Sequence, residues 1–213
     1  MKYQAVLFDM DGTLLDTLED LRDGVNVVLE RRGYPQHTLE EIREYVGNGA
    51  GVLIRRALPE GTAEAEVGEV LAEYKEWYRI HYCTKTHPYP GVEEVLEKLA
   101  AAGVKMAVVS NKPDAVTKEL AKKFFPGLPA FGQRDDVPRK PEPQMVWNAL
   151  ETLGIGREQA CYVGDSEVDV ATAKNAGLPA QIVSWGFRTE EQLRAAGADS
   201  IAATVEELLA QLD

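Results

Sequence analysis

The feature of this sequence that most constrains its fold is the alternation of short apolar runs with segments of helical periodicity. Apolar runs without polar alternation predict buried strands at residues 5–8, 106–109, 161–163 and 181–183. Such strands suit the interior of a parallel sheet that is covered on both faces. Helical stripes lie between them and end at glycines: Gly103, Gly154 and Gly177. The alternation therefore predicts an α/β fold with a doubly wound, Rossmann-like parallel sheet.

One long region breaks this alternation. Between the first predicted strand and His87 the pattern indicates helices and no convincing strand, with capping sequences starting at Thr17 and Thr38. Two prolines and a glycine then interrupt the chain at residues 87–91. We therefore expect an all-helical cap domain at 15–87, inserted into an α/β core formed by 1–14 and 88–213.

The charge balance limits the possible partners. The chain has 213 residues, with 23 basic and 35 acidic side chains and a formal net charge of −12. Binding to nucleic acid or to an anionic membrane surface needs a basic face, so neither partner is expected. A small anionic substrate remains possible if the site supplies its own positive charge.

The cysteines and the N-terminus indicate the compartment. Cys83 and Cys161 are far apart and outside any CxxC pattern, which favours two reduced thiols. The apolar run after Lys2 is interrupted by Asp9 and Asp11, so it does not resemble a signal peptide. We expect a cytoplasmic protein that is a monomer or a homodimer.

The first predicted strand ends in an acidic turn with the sequence Asp-Met-Asp-Gly-Thr, residues 9–13. Residues two apart in an extended segment point the same way, so Asp9 and Asp11 can face one pocket. Two carboxylates this close repel unless a counter-charge is present, and oxygen ligands favour Mg²⁺. A strand followed by an ordinary Asp-Gly turn is the alternative.

Polar residues also follow the other predicted strands. Ser110 and Asn111 could donate hydrogen bonds to phosphate, although such a pair is more often a turn or a helix cap. Lys140 precedes a proline-initiated helix and could equally be a solvated lysine. Asp165 and Asp169 are four residues apart, which places them on one helical face or in an ordinary acidic helix start.

Together these four segments resemble the motifs of the haloacid dehalogenase superfamily, in its phosphatase branch. The resemblance covers nearly the whole chain, because the motifs occur in the family's order and the helical insert lies where the family carries its first type of cap. It implies that Asp9 is a nucleophile that forms an aspartyl-phosphate and that Asp11 is the general acid and base. Dehalogenases and phosphonate-cleaving relatives lack an aspartate at the position of Asp11, which favours a phosphatase or a phosphomutase.

The same resemblance assigns the remaining site residues. Phosphate binding is implied for Gly12, Thr13, Ser110, Asn111 and Lys140, and Lys140 also screens Asp9. Mg²⁺ is the implied cofactor, and its implied ligands are Asp9, Asp11 through its backbone carbonyl, Asp165 and, as a support, Asp169.

The expected cap contains a glycine-rich segment, 44–58, that resembles the cap of phosphoglycolate phosphatases. Gly47, Asn48 and Gly49 open a helix whose free N–H groups could bind a small carboxylate. A tight helix–helix connection is an equally good interpretation of these glycines. The segments 110–113 and 185–188 add to the resemblance, although an exposed side chain is the expectation for Arg188.

The leading hypothesis is a Mg²⁺-dependent phosphomonoesterase that acts on 2-phosphoglycolate or a similar small phosphate ester. A hexose-phosphate mutase or a pyrophosphatase of the same fold remains an alternative. A binding module without activity is disfavoured, because the motif residues Asp9, Asp11, Lys140 and Asp165 are all present.

Overall fold

The computed structural model describes residues Met1–Asp213 and contains a six-stranded parallel sheet with helices on both faces. The sheet strands are β1 (Ala5–Phe8), β4 (Lys105–Pro113), β5 (Ala130–Gln133), β6 (Ala160–Gly164), β7 (Ala180–Val183) and β8 (Ile201–Ala202). Their order is β5-β4-β1-β6-β7-β8, and every pair is parallel. The predicted doubly wound α/β fold is confirmed.

The helices flanking the sheet are α5 (Val92–Ala101), α6 (Asp114–Phe124), α7 (Gln144–Leu153), α8 (Glu167–Ala176), α9 (Glu190–Ala195) and α10 (Val205–Leu212). Gly154 and Gly177 end α7 and α8 in the left-handed conformation, as their sequence positions predict. Beneath one face of the sheet, small and aliphatic side chains of β1, β4 and β6 pack against α7 and α8.

Between β1 and β4 the chain forms four consecutive helices: α1 (Leu18–Arg31), α2 (Leu39–Tyr45), α3 (Ala50–Ala57) and α4 (Glu64–His81). Two short strands, β2 (Leu15–Asp16) and β3 (His87–Pro88), pair antiparallel at the two ends of this helical block. The antiparallel pair brings the outgoing and returning chain together, next to the carboxyl end of β1.

The order of the strands determines where a ligand can bind. β1 lies between β4 and β6. The connection from β1 leads to β4 on one side, whereas the connection from β6 leads to β7 on the other side. In open α/β sheets a crevice forms at the carboxyl ends of the strands at such a reversal.

No helix combines the length and the apolar character that crossing a membrane requires.

Candidate active site

Three carboxylates converge at the carboxyl ends of β1 and β6. Asp9 follows β1, Asp165 follows β6, and Asp169 lies in the first turn of α8. One carboxylate oxygen from each of them lies within 4.8 Å of the others, and all three residues are buried. Adjacent parallel strands end at the same edge of the sheet, which is why residues this far apart in sequence meet.

A single buried lysine contacts two of these carboxylates. The Nζ of Lys140 lies 2.9 Å from Asp9 Oδ1 and 2.9 Å from Asp169 Oδ1. It also donates to the hydroxyl of Tyr162, which in turn donates to the carbonyl of Val109. Lys140 is only 2% exposed, so the solvated lysine that its sequence context allowed is not what the fold produces.

The charges of this cluster fit a divalent cation. Three carboxylates face one ammonium, and burial raises the pKa of Asp9 to about 7 although Lys140 opposes the shift. Burial also raises the pKa of Asp165. Buried carboxylates with too little positive charge around them form a favourable site for a hard cation, and oxygen ligands suit Mg²⁺.

The carboxylate of Asp165 accepts hydrogen bonds from the turn after β1 and from the segment after β7. Thr13 donates its hydroxyl to Asp165 Oδ1 at 3.0 Å, and the backbone N–H of Phe187 donates to Oδ2 at 2.8 Å. Gly12 has φ +83°, and a Cβ at this position would lie 2.3 Å from Asp165 Oδ2. Glycine is therefore required here both for its backbone conformation and for the approach of the carboxylate.

The two carboxylate oxygens of Asp169 have different partners. Its Oδ2 accepts hydrogen bonds from the backbone N–H groups of Asp165 and Ser166 and from the Ser166 hydroxyl, which caps α8. Its Oδ1 accepts from Lys140. The side chain of Asp169 therefore belongs to an acidic helix start and also contacts the lysine beside Asp9, so these two descriptions do not exclude each other.

Asp11 has partners different from those of the three clustered carboxylates. Lys112 Nζ lies 2.9 Å from its Oδ1 and 3.0 Å from its Oδ2, and the Thr17 hydroxyl donates to Oδ1 at 2.7 Å. Thr17 is the N-cap residue of α1, as its sequence position predicts, but its side chain makes no capping hydrogen bond to the helix. Its hydroxyl is used to hold Asp11 instead.

Ser110 and Asn111 lie within β4, which continues to Pro113, and not in the turn or helix cap that their sequence allowed. Both are nearly fully buried. The Asn111 Nδ2 donates to the carbonyls of Lys140 and Gly47, while its Oδ1 has no hydrogen-bond partner. Asn111 thereby connects the sheet to the glycine-rich segment of the helical block.

A cavity of about 470 Å³ lies above these residues, between the sheet and the helical block. Of the residues singled out in the sequence, it is lined by Asp9, Asp11, Ser110, Asn111, Asp165, Gly47, Gly49 and Arg188. Gly12, Thr13, Asn48, Lys140 and Asp169 are not part of its wall. Thr13 instead donates to the carboxylate of Asp165, and Lys140 contacts that of Asp9. Asp169 accepts a hydrogen bond from the backbone N–H of Asp165.

Arg188 is buried, at 7% exposure, and the expectation of an exposed side chain is wrong. It forms an ion pair with Glu167 and donates to the carbonyls of Arg43 and Val46 at 2.9 and 2.8 Å. The two carbonyls belong to the C-terminal end of α2, where backbone acceptors lack helical partners. Because Glu167 belongs to α8, Arg188 links the sheet region to the loop that contains Gly47.

We expect Arg188→Met to lower the free energy of unfolding by about 2 kcal/mol, because two buried carbonyls and Glu167 lose their donor. Arg194→Met is the matched control, since Arg194 forms an exposed i,i+4 pair with Glu190 and its loss is expected to cost less than about 0.5 kcal/mol. Urea denaturation measures both. Equal losses in the two variants would show that the Arg188 contacts do not hold the helical block in solution.

Comparison with known proteins agrees with this geometry. The family model described as haloacid dehalogenase-like hydrolase matches residues 6–183. A phosphoglycolate phosphatase of Vibrio parahaemolyticus is 35% identical over 97% of this chain and 94% of its own length. That of Pseudomonas syringae pv. tomato is 37% identical over 86% of this chain and 70% of its own length.

Solved structures show the same arrangement. A protein of Lactobacillus delbrueckii, provisionally assigned as a phosphoglycolate phosphatase, superposes with a TM-score of 0.95 at 36% identity, covering 100% of this chain and 99% of that one. The chain belongs to the haloacid dehalogenase-like hydrolase family. Within that family its relatives identify it as a phosphatase.

Proposed function

We propose that this phosphatase hydrolyses 2-phosphoglycolate in a Mg²⁺-dependent reaction that passes through an aspartyl-phosphate on Asp9. The observation that carries the proposal is the convergence of Asp9, Asp165, Asp169 and Lys140 beside a cavity. Asp9 and Asp165 line this cavity together with glycines of the glycine-rich segment. The relatives named phosphoglycolate phosphatase support the choice of substrate.

Asp9 is the proposed nucleophile. Its Oδ1 forms an ion pair with Lys140 and accepts a hydrogen bond from the backbone N–H of Met10, while its Oδ2 accepts no hydrogen bond. Oδ2 is therefore the oxygen free to attack phosphorus, and Lys140 fixes the orientation of the carboxylate. Lys140 also offsets the charge that accumulates when a phosphate dianion approaches.

Asp11 is the proposed general acid and base. As Asp9 Oδ2 forms its bond to phosphorus, the bond from phosphorus to the ester oxygen breaks, and Asp11 donates a proton to the departing alkoxide. Asp11 then takes a proton from the water that attacks the phosphorus of the aspartyl-phosphate. Inorganic phosphate leaves, and Asp9 and Asp11 return to their starting forms.

The remaining residues bind the metal and the phosphoryl group. Asp9, Asp165, the backbone carbonyl of Asp11 and, as a support, Asp169 are the residues we propose to hold Mg²⁺. When bound, Mg²⁺ supplies positive charge that neutralises the phosphoryl oxygens. Ser110 also lines the cavity, and its hydroxyl is the proposed donor to the phosphoryl group.

The glycine-rich segment is the proposed binding site for the rest of the substrate. Gly47 and Gly49 line the cavity at the start of α3, and both have positive φ values, 113° and 81°. No side chain caps α3, which leaves its first N–H groups available to an anion. Asn48 lies between the two glycines without lining the cavity, so its proposed contribution is to the conformation of this loop.

The substrate is tested by phosphate release with Mg²⁺ from 2-phosphoglycolate, pyrophosphate and a hexose 1-phosphate in parallel. We expect kcat/KM to be highest for 2-phosphoglycolate by at least about tenfold, because it alone in this panel carries a small carboxylate one carbon from the ester oxygen. A hexose phosphate that is converted without phosphate release, and only with a sugar bisphosphate present, would indicate a mutase instead.

Asp11→Asn is expected to lower kcat/KM for 2-phosphoglycolate by about 10²–10⁴-fold. The same change is expected to cost p-nitrophenyl phosphate about tenfold or less, because nitrophenolate leaves without a proton. kcat/KM reports only the steps up to departure of the leaving group, so the later attack of water does not confuse the comparison. Equal losses on the two substrates would refute the general-acid assignment.

A further inference from the structure

The ion pair between Lys112 and Asp11 is the feature of the site that the proposed mechanism leaves unexplained. Lys112 has a side chain that is 2% exposed, and Asp11 is its one carboxylate partner. A buried ammonium without a counter-ion is costly. If Asp11 turns toward the ester oxygen of the substrate, Lys112 needs another anion.

The shape of 2-phosphoglycolate provides that anion in the right place. Its carboxylate is attached to the same CH₂ that carries the ester oxygen, so the group that binds the carboxylate must adjoin the group that protonates the ester oxygen. Lys112 Nζ lies 2.9 and 3.0 Å from the two oxygens of Asp11. No other basic side chain of the cavity wall contacts Asp11. Lys75, Arg79, Arg134 and Arg139 are exposed, and Arg188 pairs with Glu167. Lys140, behind the wall, already pairs with Asp9 and Asp169.

A second group beside Lys112 lacks a partner. Tyr78, from α4, lies on the cavity wall with its ring centroid 5.1 Å from Lys112 Nζ. Tyr78 is only 3% exposed, yet its hydroxyl has no hydrogen-bond partner. Buried hydroxyls are normally paired, so an unpaired one on a cavity wall indicates a missing acceptor.

We propose that Lys112 is the residue that binds the substrate's carboxylate, with the Tyr78 hydroxyl as a second donor to it. On binding, the carboxylate replaces Asp11 as the counter-ion of Lys112. Asp11, freed from this ion pair, takes up a proton from solvent and can then donate it to the ester oxygen. The inference rests on the proposed function, because it requires a substrate with an anionic group one carbon from the ester oxygen. Lys112, a residue of β4, would then contribute to the selectivity for such substrates together with the glycine-rich segment.

The test compares 2-phosphoglycolate with its carboxamide analogue, 2-(phosphonooxy)acetamide, which has nearly the same shape and no carboxylate. The wild-type chain is expected to prefer the carboxylate by about 10²-fold in kcat/KM. Lys112→Met is expected to lower kcat/KM for 2-phosphoglycolate by about 10²-fold and that for the carboxamide by less than about threefold. The ratio of the two substrates within one preparation does not depend on the fraction of folded protein.

Three further variants sharpen the comparison. Lys112→Arg keeps the charge and is expected to retain most of the preference for the carboxylate. Tyr78→Phe removes only the hydroxyl and is expected to reduce that preference by about three- to tenfold. Lys118→Met, which removes an exposed lysine paired with Asp114, is expected to change neither substrate.

Two results overturn the proposal, and they are distinguishable. If Lys112→Met lowers kcat/KM for both substrates equally, Lys112 acts on Asp11 or on the fold, and the substrate assignment is unaffected. If the wild-type chain itself does not prefer 2-phosphoglycolate to the carboxamide, both the role of Lys112 and the proposed substrate are wrong.

Discussion

Replacing Asp9 by asparagine is expected to reduce phosphate release by a factor on the order of 10⁴ or more, because an amide cannot form the acyl-phosphate bond. Asparagine has nearly the same shape as aspartate, so the circular dichroism spectrum is expected to stay unchanged. The measurement is kcat on 2-phosphoglycolate in the presence of Mg²⁺.

The matched control for Asp9→Asn is Asp136→Asn, which makes the same chemical change at an exposed carboxylate paired with Arg134. Its activity is expected to equal that of the wild-type chain. If Asp9→Asn retained a tenth of the wild-type rate, after exclusion of deamidation back to aspartate by mass spectrometry, Asp9 would not be the nucleophile.

Removal of the metal is the second change with a very large expected effect. Chelation by EDTA is expected to stop phosphate release, and added Mg²⁺ to restore it, because the charge that neutralises the phosphoryl group is lost. Mg²⁺ is also expected to raise the Tm of the wild-type chain, since a ligand that binds only the folded state stabilises it.

The Asp165→Asn variant tests whether the rise in Tm comes from Mg²⁺ bound at this site or from the added salt in general. Burial raises the pKa of Asp165, which means that the ionised carboxylate is unfavourable in the metal-free protein. The variant is therefore expected to have a metal-free Tm at or above that of the wild type, together with a loss of the Mg²⁺-induced rise and of activity. Glu167→Gln, two residues away and exposed, is the control that should keep the Mg²⁺ response. Full activity in EDTA would show that phosphate release does not require a metal ion.

The sequence predicts the central carboxylates well because they are tied to local patterns. Asp9 and Asp165 each follow an apolar run, and residues at the ends of adjacent parallel strands must meet. The burial of Lys140 is harder to predict, because nothing in its neighbouring residues distinguishes a buried lysine from a solvated one. Only its place after Asp9 and before Asp165 in a familiar order of motifs indicates a role.

Lys112 and Arg188 show where sequence reasoning stops. Both are long basic side chains of the kind that usually reach solvent, and both are buried because partners from distant segments surround them. Asp11 is 101 residues from Lys112, and Arg43 is 145 residues from Arg188. Periodicity within one element contains no information about such contacts.

The missed strands have a simpler cause. β5 has four residues and contains a glycine, while β2, β3 and β8 have two each, so none of them gives an apolar run long enough to recognise. β2 and β3 show that the segment expected to be all-helical begins and ends with strand residues. β5 and β8 lie at the edges of the six-stranded sheet, where pairing with one neighbour is enough to define a strand. The central strands, which position the site, are the ones that their apolar runs predict.

The most direct test of the account is whether a phosphoryl group is transferred to Asp9. The chain is mixed with ³²P-labelled 2-phosphoglycolate and Mg²⁺ and quenched in acid during the first turnover. We expect protein-bound label that is sensitive to hydroxylamine, lies on the peptide containing Asp9, and disappears on a chase with unlabelled substrate. Release of phosphate in that turnover without labelled protein at any quench time, or label on another residue, would contradict the central claim.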